Sequence, residues 1–190
     1  MPPQKPIVLD LLSHNDIPRK ICALKRCRAY SVKFSQEILL GNRESIDFSQ
    51  IPKADLIISC PLGLTSFAPE IQTRETQFAG FITEFQELVS NLIKFYSEFS
   101  RKLKHNGYLI LLAELIHLDG NLYHFPASLS NLREIFTMKD EKIFISENLP
   151  MPDESKINYD NPFCQIQHLH ALIFRNENLS SQYKSIDSFF

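Results

Sequence analysis

The sequence predicts an α/β fold, a doubly wound and mostly parallel sheet with helices on both faces, and three observations carry that prediction. Short apolar runs rich in branched residues, at Ile7 to Leu12, Ala54 to Ser59 and Tyr108 to Ala113, read as strands buried on both faces. One long stretch from Phe78 to Leu103 instead repeats its apolar residues every three or four positions, the period of a helix with one buried face. The two kinds of segment alternate through short links, the pattern of strand and helix wound about one sheet.

The first strand is bounded by Pro6 and by the polar Ser13-His14-Asn15-Asp16. Asp16 is a suitable N-cap and Pro18 suits a first turn, so residues 17–26 are expected to be helical, with Ile21 and Leu24 inward and Arg19, Lys20, Lys25 and Arg26 outward. Ala29 to Phe34 alternates as a second strand, Gly41-Asn42 marks a turn, and Ser45 to Phe48 reads as a short third strand before Ala54 to Ser59. Phe81, Phe85, Leu88, Leu92, Phe95, Tyr96 and Phe99 line the long helix, and aromatics at this spacing are ordinarily core; Asn106-Gly107 is its expected stop. Phe125-Pro126-Ala127 opens a helix whose inner face is Leu129, Leu132, Ile135 and Phe136. Strands follow at Lys142 to Ser146 and Gln165 to Phe174, separated by a proline-rich loop over 149–162. Residues 1–176 are expected to be a single domain and 177–190 a polar tail.

Composition narrows the function classes. A chain of 190 residues, 44% hydrophobic and 22% charged, has enough material for one sizeable core. No run approaches the roughly 20 apolar residues of a membrane span, and the proline-rich start from Met1 to Pro6 lacks the apolar segment of a secretory signal, so no membrane contact and a cytoplasmic location are expected. A net charge of −2 gives no global attraction to nucleic acid. A nucleic-acid partner would need a local patch, for which Arg19, Lys20, Lys25, Arg26 and Arg28, together with Arg101, Lys102 and Lys104, are the candidates; a solvated surface is the commoner use of such charges. The four cysteines, Cys22, Cys27, Cys60 and Cys164, include no C-x-x-C pair and read as free thiols. No metal is expected: His168, His170 and Cys164 lack standard ligand spacing.

In open α/β sheets, ligands sit beyond the carboxyl ends of the strands. Those ends carry Asp10 to Asp16, Phe34 to Gln36 and Ser59-Cys60-Pro61-Leu62. Taken in order with Lys104-His-Asn-Gly-Tyr-Leu-Ile-Leu111 and His168-Leu-His-Ala-Leu-Ile-Phe-Arg175, these segments resemble the class I S-adenosylmethionine-dependent methyltransferases. The likeness is greatest to the amino-directed enzymes that methylate exocyclic amines of cytosine or adenine. It implies a Rossmann-like methyltransferase core and S-adenosylmethionine as cofactor. It places Ser59, Cys60, Pro61 and Leu62 at the catalytic turn, and Asp10, Ser13, Asn15, Lys33 and Asn42 at the cofactor.

The departures cluster at that cofactor site. Ser13-His14-Asn15-Asp16 replaces a glycine-rich loop whose missing Cβ atoms let the backbone approach the cofactor. Lys33 stands where the family has an acid accepting bonds from ribose hydroxyls, and an ammonium only donates. Asn42 matches an expected acid, and Leu62 matches an aromatic that would stack on the target base. The sequence thus favours a degenerate protein acting as a non-catalytic binding or regulatory subunit, with a protein partner or a second copy. The alternative is an active, divergent N-methyltransferase on nucleic acid or a small-molecule amine. A third reading is a nucleotide-binding domain in which Lys33 meets a phosphate.

Overall fold

The computed structural model describes residues 5–11, 22, 24–32, 48–61, 78–118, 121–145 and 168–177. In chain order they form β1 (Ile7–Leu11), β2 (Arg28–Val32), a 3-10 turn (Phe48–Gln50), β3 (Ala54–Ser59), α1 (Phe78–Phe99) and a second 3-10 turn (Ser100–Lys102). Then come β4 (Leu103–Glu114), β5 (Ile116–Leu118), β6 (Asn121–Tyr123), α2 (Phe125–Ser128), a 3-10 helix (Leu129–Glu134), β7 (Thr137–Ile145) and β8 (His168–Arg175).

Six strands make one sheet in the order β2-β1-β3-β4-β8-β7. The first four pair in parallel, while β8 is antiparallel to both neighbours. The chain therefore leaves β1 for one side at β2 and returns to the other at β3, which puts the topological switch point between β1 and β3. Strands β5 and β6 form a separate small hairpin that the sequence reading did not anticipate.

α1 packs on one face of the sheet. Leu88, Leu92, Phe95, Tyr96 and Phe99 are its buried stripe, and they share a core with Leu9, Leu11, Ile57, Leu109, Leu111 and Phe174. Burial of each such side chain contributes about 1.5–3 kcal/mol, so this stripe is the main reason the helix lies where it does. Phe95 and Phe99 contact each other with ring centroids 4.9 Å apart, and Phe48 meets Phe99 edge-on at 5.1 Å.

Several boundaries differ from the sequence expectation. The helix ends at Phe99, and Leu103 already pairs with Ala54. Asn106-Gly107 is therefore a kink within β4: the register jumps from Ala54–Leu103 to Leu56–Tyr108, and Asn106 takes φ 63° to accommodate the extra residues. The Asn176 side chain fastens this kink by donating to the carbonyls of Leu103 at 2.8 Å and Lys104 at 3.3 Å. Phe48 opens a 3-10 turn where a strand was expected; Ser45 to Asp47 lie outside the described residues.

Cys22 and Leu24 are helical as predicted, but Leu24, expected inward, is 82% exposed, and Cys22 is buried; Ile21 lies outside the described residues. The predicted helix from Phe125 is one α-turn followed by 3-10 structure, with Leu129, Leu132 and Phe136 buried as expected. Its N-cap is His124, whose Nδ1 accepts from the Ala127 N–H at 3.0 Å. β7 begins at Thr137, five residues before the predicted strand at Lys142, because its charged first half is held by β8 alone. No helix among the described residues is long and apolar enough to cross a membrane.

Candidate ligand site at the carboxyl ends of the strands

Asp10, next to last in β1, and Ser59, last in β3, lie on either side of the switch point. In the register of these parallel strands Asp10 faces Ile58 and Leu11 faces Ser59. Side chains alternate along a strand, so Asp10 and Ser59 project from opposite faces of the sheet. Asp10, assigned to the cofactor, and Ser59, assigned to the catalytic turn, thus stand on different faces at the same end of the sheet.

Ser59 faces α1. It is fully buried, and its Oγ lies 2.8 Å from the hydroxyl of Tyr96, itself fully buried. Burial pushes the Tyr96 phenol well above its usual value, an effect partly offset by the bond to Ser59, so both groups are neutral hydroxyls over the ordinary pH range. This places Ser59 within the core, one hydroxyl satisfying another. Cys60 is half-buried and Pro61 buried.

Asp10 lies on the other face and is 2% exposed. Its Oδ2 accepts from the Ser31 hydroxyl at 3.2 Å, across the β1–β2 pair that sets the two residues side by side. Its charge also contributes to a raised pKa at Cys22, where burial is the largest cause and Cys27 the next. Ser13, Asn15, Lys33, Asn42 and Leu62 lie outside the described residues.

Among the described residues, the basic candidates lie away from this end of the sheet. Arg28 starts β2, and Arg101, Lys102 and Lys104 precede or start β4, so they belong to the amino-terminal edge of the parallel strands. Lys104 is held there in an ion pair with Asp55 at 2.9 Å, while Lys25, Arg26 and Arg28 are exposed; Arg19 and Lys20 are outside the described residues. His170 is buried and pairs through Nδ1 with Glu141 at 2.7 Å, its ring against that of His124. Among the described residues no group of three or more metal-ligating side chains comes together.

One group at the carboxyl edge was missed in the sequence. Glu114 ends β4, three residues past Leu111, the partner of Ser59. Partial burial pushes its carboxyl up to about 7. The signal was present in an acid directly following the apolar run Tyr108 to Ala113, on the same face as Ile110 and Leu112.

Comparison with solved structures decides the fold. A methyltransferase from Pyrococcus furiosus superposes with a TM-score of 0.51 at 12% identity, over 91% of this chain and 76% of its own. The chain has a methyltransferase fold. A candidate DNA modification methylase from Thermus thermophilus superposes with a TM-score of 0.50 at 14% identity, over 77% of this chain and 53% of its own. The chain thus spans about half the length of the Thermus protein. That protein has also been solved with S-adenosyl-L-methionine, and in that form gives a TM-score of 0.46 at 12% identity over 75% and 51% of the two chains. No protein-family profile and no curated protein matches the sequence.

The described residues can be tested against the cofactor this fold implies. Of the five side chains assigned to it, Asp10 alone is among them, and that acid is buried and engaged by Ser31.

Proposed function

We propose that this methyltransferase-fold protein does not transfer methyl groups and serves as a binding or regulatory subunit. The observation that carries this reading is the burial of Ser59 against Tyr96. A residue that orients a target amine must present an acceptor to it, and a hydroxyl sealed between sheet and helix presents none. The loss of an aromatic at Leu62 and of the acid at Lys33 points the same way, since both replacements remove groups the transfer chemistry uses. A nucleic-acid or protein partner fits the exposed Lys25, Arg26 and Arg28 at the opposite edge of the sheet, remote from the eroded turn.

The test is methyl transfer from labelled S-adenosylmethionine to single-stranded DNA, duplex DNA and RNA. The proposal expects none above background, for wild type and Ser59→Ala alike. Transfer that Ser59→Ala abolishes would overturn it.

Glu114 supports a second reading, a divergent N-methyltransferase acting on an amine. A carboxyl with a pKa of about 7 at the end of β4, three residues beyond the partner of Ser59, is suited to accept a proton from such a substrate. Transfer lost in Glu114→Gln and kept in Ser59→Ala would favour this reading over the first.

A further inference from the structure

We propose that Cys22 and Cys27 form a reversible disulfide under peroxide, a modification site at the end of the helix that leads into β2. The helix stops in a left-handed cap: Arg26 has φ 57°, and the Cys27 N–H donates to the Cys22 carbonyl at 2.9 Å. This is the six-residue closure in which the first and last side chains commonly touch. Here both of those side chains are thiols.

The hydrogen bond also bounds the geometry. With 2.9 Å between O and N and standard covalent lengths on either side, the two Cα atoms are no more than about 6.8 Å apart. Disulfides span Cα separations of about 4.4–6.8 Å, and this bound stays within that range.

Exposure sets the order of events. Cys27 is half-exposed, its Sγ 3.6 Å from the Lys25 carbonyl, and it sits among the exposed Lys25, Arg26 and Arg28, so peroxide reaches it first. Cys22 is 6% exposed. The Cys27 thiolate attacks peroxide: an S–O bond forms, the O–O bond breaks, and hydroxide leaves, taking up the proton the thiol gave to solvent. Cys22 then attacks the sulfenic sulfur, forming the S–S bond as the oxygen departs with the Cys22 proton as water. Two thiols are oxidised and one peroxide is reduced to two waters.

The experiment treats the full chain with hydrogen peroxide, alkylates the remaining thiols, and maps the peptides by mass spectrometry with and without reductant. The expected result is a Cys22–Cys27 link lighter by two hydrogens and released by dithiothreitol, with Cys60 and Cys164 alkylated. Cys27→Ser should leave Cys22 alkylated after the same treatment. Recovery of both Cys22 and Cys27 alkylated from the oxidised wild-type chain, or Cys27 linked to Cys60, Cys164 or another molecule, would overturn the proposal.

Discussion

The hydroxyls of Ser59 and Tyr96 form a buried 2.8 Å hydrogen bond that ties the end of β3 to the last turn of α1. Each is the other's partner inside an otherwise apolar layer, so removal of either one leaves a polar group without water. Tyr96→Phe and Ser59→Ala should each destabilise the protein by about 1–3 kcal/mol. The double variant should cost clearly less than the sum, with a coupling of about 1 kcal/mol or more. Denaturant unfolding of the four proteins measures this, and strict additivity would argue that the two hydroxyls do not interact.

Asp55 joins the starts of three strands. It accepts the Ile7 N–H at 2.8 Å and both contacts of the Lys104 ammonium at 2.9 Å. Burial raises its pKa, but the bonds from Ile7 and Lys104 outweigh that and hold it below the usual 3.8. A depressed folded-state value means stability that is present above the unfolded pKa and lost as pH falls through the folded one. Asp55→Asn should therefore cost about 1 kcal/mol at neutral pH, a modest figure because the side chains are 40% exposed, and the two proteins should converge below pH 3.8. Stability curves over acidic pH make the comparison.

For Glu114 the sign is opposite. Its folded value of about 7 lies above the usual 4.5, so the folded protein favours the protonated acid. The associated stability is complete below 4.5 and declines as pH rises towards 7. Glu114→Gln should leave stability nearly unchanged in the acid range and raise it by about 1 kcal/mol at alkaline pH, less than the whole shift because water reaches the carboxyl. Thermal unfolding at acid and alkaline pH would show this; an equal effect at both ends would deny a raised pKa.

Much of the architecture was legible because it rests on periodicity. The stripe from Leu88 to Phe99 and the runs at Leu9, Ile57 and Leu109 are core residues in both the sequence and the structure. Boundaries were less legible where long-range contacts set them: Asn106-Gly107 has the composition of a helix stop, yet its conformation is fixed by Asn176, some seventy positions away. Leu24 was misassigned because Ile21, Cys22, Ala23 and Leu24 are consecutive apolar residues, a run that does not mark one inward face; Cys22 is buried and Leu24 exposed. At the site, residue type located the turn at Ser59 but not which face Ser59 occupies. A strand's alternation fixes that only relative to its neighbours.

Gly107 tests the kink directly. A Cβ there would lie 2.9 Å from the Lys104 carbonyl oxygen and 3.0 Å from that of Asp55, both backbone atoms that cannot turn aside. Gly107→Ala should cost about 1–3 kcal/mol. Arg26→Gly should act in the other direction, adding about 1 kcal/mol by relieving a left-handed residue. Unfolding midpoints of the two variants should shift to opposite sides of wild type.

The proposed non-catalytic role is tested at the first requirement of methyl transfer, cofactor binding, by calorimetric titration of the full chain with S-adenosylmethionine. The account predicts no saturable heat up to millimolar ligand. Binding with a micromolar dissociation constant would contradict it and would return the carboxyl edge of the sheet to consideration as a working site.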